Sequence, residues 1–153
     1  FAAPGAEDRL RDQQQNEKDT TAIVLASTDP ANPYGAALKW PETTDEVSRP
    51  QRSAGGRVVL LAGQLLAHLN KNATRLLTFL PPNEPEHSVC RAALVKALSA
   101  NATSTEPLYL QVIDGQPAHE SLLGAELVNA GFVRLRDGFV HRGPKDDGPG
   151  KRE

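Results

Sequence analysis

Apolar and polar residues change rhythm several times along this chain, and each change predicts an element. The run Ala22-Ile23-Val24-Leu25-Ala26-Ser27 is short, continuously apolar and closed by Asp29-Pro30, which predicts a buried strand. Residues 57–69 read as a hairpin turning at Ala62-Gly63, and 74–79 supply a third strand after an Asn70-Lys71-Asn72 turn. In two-residue-loop register Leu60 faces Leu65 and Leu61 faces Gln64. Val58, Val59, Leu60, Leu61, Leu65 and Leu66 leave no polar face near the turn, so both sides of this meander need a cover, from the helices or from a neighbouring domain.

Helical spacing takes over at 84–100, where Cys90, Leu94, Ala97 and Leu98 share one face behind acidic Glu84 and Glu86. A strand over 108–113 ends at Asp114-Gly115. A second helix over 119–130 presents Leu123, Leu127 and Ala130 and stops at Gly131, with Phe132 placed to fold back on Leu127. The last element is a hairpin, 133–136 and 139–142, turning on Asp137-Gly138. That register sets Arg136 opposite Phe139 and Arg134 opposite His141 on one face, with Leu135 opposite Val140 on the other. The element order predicts an α+β fold: a short strand, a three-stranded antiparallel meander, two helices and a C-terminal β-hairpin.

Composition narrows the class. The 153 residues are 39% hydrophobic and 24% charged, which suits one globular domain. Residues 1–20 and 143–153 are polar and rich in Gly, Pro or Gln, and read as a disordered lead-in and tail around a domain at 21–142. Within it, 42–56 lacks periodicity and reads as an exposed, mobile connection. The chain begins with Phe1 and carries no charged-then-apolar leader, so it reads as the C-terminal fragment of something larger. No apolar run approaches a membrane span.

The single Cys90 excludes an internal disulfide, fits a reducing cytoplasm and reads as a small buried hydrophobe. His68, His87, His119 and His141 lack metal-ligand spacing, so no metal site is expected. No cofactor is expected in this chain either, because it holds no Gly-x-x-x-x-Gly-Lys-Ser/Thr loop for nucleotide phosphates. With a net charge of −2, any contact with nucleic acid must be local.

Residues 28–41 stand apart. Thr28-Asp29-Pro30-Ala31-Asn32-Pro33-Tyr34-Gly35-Ala36-Ala37-Leu38-Lys39-Trp40-Pro41 holds the only Trp, and its three prolines fix their own φ while pushing Asp29, Asn32 and Trp40 toward extended backbone. A rigid loop results. The segment resembles the Asp-Pro-Ala-Asn-Pro-aromatic-Gly-Ala-Ala-Leu-x-Trp-Pro signature near the C-terminal end of the large helicase-related (Lhr) proteins, superfamily 2 DNA helicases of bacteria. Phe1-Ala2-Ala3-Pro4-Gly5-Ala6, Asp8-Arg9-Leu10-Arg11, the 57–63 strand and turn, 75–79 and Ala130-Gly131-Phe132 fall in that family's order. Ala62 departs from it, standing where the family usually has Asp.

The resemblance implies an accessory, DNA-handling domain of an ATP-dependent helicase acting in DNA repair, in the bacterial cytoplasm. ATP and Mg are implied for the parent only, with the motor upstream of Phe1. Implied partners are DNA, single-stranded or a repair intermediate, and neighbouring domains of the parent; a homo-oligomer is a further option and a membrane is not.

Two groups are candidates for the DNA contact. On the hairpin, Arg134 and Arg136 could neutralise phosphates beside Phe139 and His141, or the face could simply be solvated. In the loop, Asp29 could anchor its own turn over Tyr34 and Trp40, the two aromatics could stack an unpaired base, or Asp29 could act in base excision, because C-terminal parts of this family resemble winged-helix DNA glycosylases. A purely docking or oligomerisation domain is the remaining alternative.

Overall fold

A computed structural model describes residues 21–43, 49–103 and 105–143, so the predicted lead-in at 1–20 and the tail from 144 lie outside the described residues. The architecture is α+β, with strands β1 (Ile23–Ala26), β2 (Arg57–Leu61), β3 (Gln64–Leu69) and β4 (Arg75–Thr78) followed by helix α1 (Glu86–Asn101). Then come β5 (Leu108–Leu110), β6 (Val112–Ile113), β7 (Gln116–Pro117), a 3₁₀ turn (Ala118–Glu120), α2 (Gly124–Asn129), β8 (Val133–Leu135) and β9 (Gly138–His141). Among the described residues no helix is long and apolar enough to cross a membrane.

Six strands form one mixed sheet in the order β1-β2-β3-β4-β6-β7, antiparallel except where β6 runs parallel to β4. The β2–β3 hairpin has the expected pairs, Leu60 with Leu65 and Leu61 with Gln64, over a turn in which Ala62 and Gly63 both take positive φ. A register shift between Val59 and Leu60 then leaves Leu66 as an extra residue, so β3 buries Leu65 on one side and Leu66 and Leu69 on the other.

The two faces have different covers. One lies under α1, whose Cys90, Leu94 and Leu98 join Val59, Leu66, Leu69 and Leu76 in the main core. Cys90 is buried there, and burial followed by the nearby Glu86 charge pushes its thiol pKa up, which suits an inert packing role. The opposite face, built on Val58, Leu60 and Leu65, is covered by Leu25, Phe79, Tyr34 and Trp40. The cover that the meander demands therefore includes the Pro-rich loop of the same chain.

Two predicted elements divide. The strand expected over 108–113 breaks at Gln111, whose N–H donates to the Thr74 carbonyl while its own carbonyl accepts the Ala118 N–H. Before that point β5 pairs with β9; after it β6 pairs with β4 and β7, so one apolar run serves two sheets. The helix expected over 119–130 is the 3₁₀ turn and the shorter α2, interrupted at Ser121, whose hydroxyl accepts the Leu123 N–H. Its C-terminus is as expected: Gly131 has φ +105°, and the Gly131 and Phe132 N–H groups return to the Val128 and Leu127 carbonyls.

The terminal hairpin corrects two expectations. Its pairs are Val133–Val140, Arg134–Phe139 and Leu135–Gly138, so the turn is Arg136-Asp137 and the register slips by two residues. Gly138 is used elsewhere. A Cβ there would lie 2.1 Å from the Leu110 carbonyl oxygen, so glycine is required for β5 to close against β9 rather than to shape the turn. The slip keeps Arg134, Phe139 and His141 on one face, but that face is turned inward: Phe139 is 1% exposed, while Val133 is 59% exposed on the other.

Candidate nucleic-acid interface

The loop over 28–41 is held from inside. Asp29 Oδ1 accepts the Ala31 N–H at 2.8 Å and the Asp29 carbonyl accepts the Asn32 N–H at 2.9 Å, a turn capped by its own carboxylate. Asn32 is 1% exposed; its amide donates to the Ser27 carbonyl (2.9 Å) and the Tyr34 carbonyl (3.4 Å), and its Oδ1 accepts the Tyr34 N–H (3.1 Å). The Tyr34 hydroxyl donates to the Gly63 carbonyl and accepts the Leu65 N–H, both at 3.3 Å, bolting the loop to the β2–β3 turn.

Sequence reasoning missed the strongest tie. Arg52 Nη1 donates to the carbonyls of Asn32 (2.6 Å) and Tyr34 (3.2 Å), and Nη2 to those of Thr28 and Asp29 (3.4 Å each). The stretch 42–56 is therefore engaged over its described part: Pro50 is buried, and Ser53 exchanges hydrogen bonds with the buried Ser27 hydroxyl. Only a periodicity-free neighbourhood surrounds Arg52 in sequence, so no local signal marks it.

Trp40 stacks with Tyr34 at 6.2 Å and meets His68 edge-on at 5.5 Å. His68 is buried, with Nε2 3.1 Å from the Gln51 carbonyl; burial lowers its pKa below the usual 6.5 and that hydrogen bond opposes the shift. Both aromatics thus spend much of their surface as cover for β2 and β3.

On the hairpin, His141 is a fastener rather than an exposed contact. Its Nδ1 accepts the Gly143 N–H at 2.8 Å, which in the neutral ring places the proton on Nε2. Nε2 then donates to Ser99 Oγ (3.1 Å), and Ser99 donates to the Ala130 carbonyl (2.8 Å), joining β9, α1 and the end of α2. The same tautomer leaves no lone pair to take a proton from Ser99, so the pair is not a nucleophile and base. His141 also packs edge-on against Phe132 at 5.0 Å. Phe139 is part of the main core, so as placed it offers no ring to a base.

Arg134 and Arg136 remain exposed. Neighbouring Asp137 is engaged by the Tyr109 hydroxyl, a hydrogen bond that raises the tyrosine pKa. Two clefts lie nearby. The larger, about 580 Å³ between α1 and α2, contains Arg91 Nε 2.7 Å from Glu126 Oε1, close in distance but not aligned as a hydrogen bond, so its arginine charge is already matched. The smaller, about 380 Å³, is lined by Arg134, His119, Ser121 and Asn129 over Ala125, Val128 and Phe139. Among the described residues no carboxylate lines it, and no group of His/Cys/Asp/Glu could hold a metal ion. The loop and this hairpin are separate places: nothing brings Tyr34 or Trp40 to the cleft.

Over 150 residues the chain is 47% identical to the Lhr helicase/probable uracil glycosylase of Mycolicibacterium smegmatis, covering 91% of this chain and 10% of that protein. The chain belongs to the Lhr family. Over 80 residues it is 35% identical to the Lhr helicase/uracil glycosylase of Escherichia coli, covering 50% of the chain and 5% of that protein. This Lhr chain thus spans about a tenth or less of the length of these two relatives. No protein-family model matches it.

Proposed function

We propose that this chain is the C-terminal accessory, DNA-handling domain of an Lhr-type ATP-dependent DNA helicase acting in repair. The observation that carries the reading is the 47% identity across 91% of the chain to a protein named as a helicase and probable glycosylase. Arg134 and Arg136, exposed at the hairpin, supply local positive charge on a chain whose net charge is −2. ATP hydrolysis belongs to other parts of the parent, since this chain has no phosphate loop. The test compares the full-length parent with a version lacking this domain. ATP hydrolysis should persist while DNA affinity and strand processing fall; unchanged DNA handling would sink the reading.

Both relatives carry glycosylase in their names, which favours a second reading, base excision with Asp29 in the site. Asp29 Oδ1 is already engaged by the Ala31 N–H, which supports an anchoring role instead. Asp29→Asn in the parent should leave release of uracil from DNA intact. Loss of that release, with thermal midpoint and DNA affinity preserved, would promote excision over the accessory reading.

A further inference from the structure

The smaller cleft differs in chemistry from the larger one beside it, which Glu126 lines. Every polar side chain lining it can donate a hydrogen bond: the Arg134 guanidinium, the His119 ring, the Ser121 hydroxyl and the Asn129 amide. Glu120, whose Oε1 stands 3.8 Å from His119 Nε2, does not line the cleft. No carboxylate of the described residues pairs with Arg134, in contrast to Arg91 in the neighbouring groove. Opposite these donors the wall is apolar, and Val128 there is 47% exposed.

Donors with no carboxylate among them, beside a small apolar wall, suit a group that is anionic at one end and carbon-rich at the other. A phosphate needs several donors and gains from a guanidinium that can engage two oxygens at once. A cleft of about 380 Å³ admits one unit of a chain, not the width of a duplex. We propose that this cleft binds one phosphodiester group of a single DNA strand, with Arg134 holding the phosphate, His119 and Asn129 donating to its oxygens, and Val128 carrying the adjoining sugar. The proposal rests on the DNA-handling reading and assigns it a place, on the inward edge of the hairpin instead of the aromatic loop. Arg136 is outside the cleft, so the two hairpin arginines are not equivalent.

The test uses the full-length parent, a single-stranded oligothymidylate and inorganic phosphate. Binding is followed by fluorescence anisotropy across a salt series, and Arg134 by its reaction with an arginine-modifying dicarbonyl read by mass spectrometry. Arg134→Gln should lower the slope of log affinity against log salt by about one, and the oligonucleotide should protect Arg134 from modification. Lys71→Gln, an exposed charge elsewhere, should leave the slope unchanged. An equal drop for Lys71→Gln would replace the cleft with a diffuse field and overturn the site. DNA binding with Arg134 still reactive and the Arg134→Gln slope unaltered would overturn the site while sparing the DNA-handling reading. Protection by inorganic phosphate but not by the oligonucleotide would overturn the strand assignment and leave a free-anion site. If deleting the domain leaves DNA handling untouched, the reading beneath the proposal fails separately.

Discussion

The Pro-rich loop and the terminal hairpin both carry aromatic and polar residues of the kind that meet nucleic acid, yet the fold uses them in opposite ways. In the loop, Asp29, Asn32 and Tyr34 are all turned on the chain's own backbone, and Arg52 arrives from a distant segment to bind four carbonyls. In the hairpin Phe139 goes to the core, the half-buried His141 ties to Ser99, and the arginines are left over. Chemistry-bearing residues become candidates for a ligand only after internal demands are met. A rigid loop whose Asp29, Asn32 and Tyr34 all hydrogen-bond to backbone is most simply a piece of architecture.

That contrast predicts that loop changes act on stability and hairpin changes act on binding. The largest effect should come from Asn32→Ala, which leaves the Ser27 carbonyl and the Tyr34 N–H without their partner in a buried place. A loss of about 2–4 kcal/mol in denaturant unfolding is expected, with DNA affinity of the folded fraction unchanged. A loss below about 0.5 kcal/mol would mean water replaces the side chain and the loop is not locked.

Arg52→Met should cost about 1.5–3 kcal/mol, the range for hydrogen bonds made by a charged donor, because four carbonyls lose one ligand while the apolar stem is kept. If this variant weakened DNA binding and spared stability, Arg52 would belong with the hairpin arginines instead.

A smaller, pH-dependent effect is expected at His68. Its folded pKa lies below the unfolded value of 6.5, so the unfolded chain takes up the proton first. The stability it contributes is complete above pH 6.5 and declines as pH falls through that value toward the folded pKa. Thermal midpoints measured from pH 7.5 to 5.5 should therefore drop in the wild type and drop less in His68→Gln. Parallel curves would remove His68 from the acid response.

Least change in stability belongs to the hairpin pair. Arg134→Gln with Arg136→Gln should shift unfolding by no more than about 0.5 kcal/mol, since neither guanidinium has an ion-pair partner among the described residues to lose. A larger loss would show that the arginines, like the loop residues, serve the fold.

Local chemistry made much of this legible in advance. The β2–β3 turn at Ala62-Gly63, the position of α1 and the stop at Gly131 with Phe132 folding back all depend on residues within one turn or one hairpin, and all stand where the sequence places them. The Lhr signature is likewise a contiguous string. Long-range partners decided the rest. Which hairpin face turns inward was set by α2 and β5 packing on β9, and Gly138 left the turn because the Leu110 carbonyl approaches it. The strand changes sheets at Gln111 because its N–H goes to the Thr74 carbonyl while its carbonyl accepts the Ala118 N–H. Arg52 finds its carbonyls, and Tyr34 and Trp40 their place over the meander, only when segments some 20 to 30 residues apart meet. The period of a strand identifies residues that share a face; only the packed neighbours determine which face loses its water.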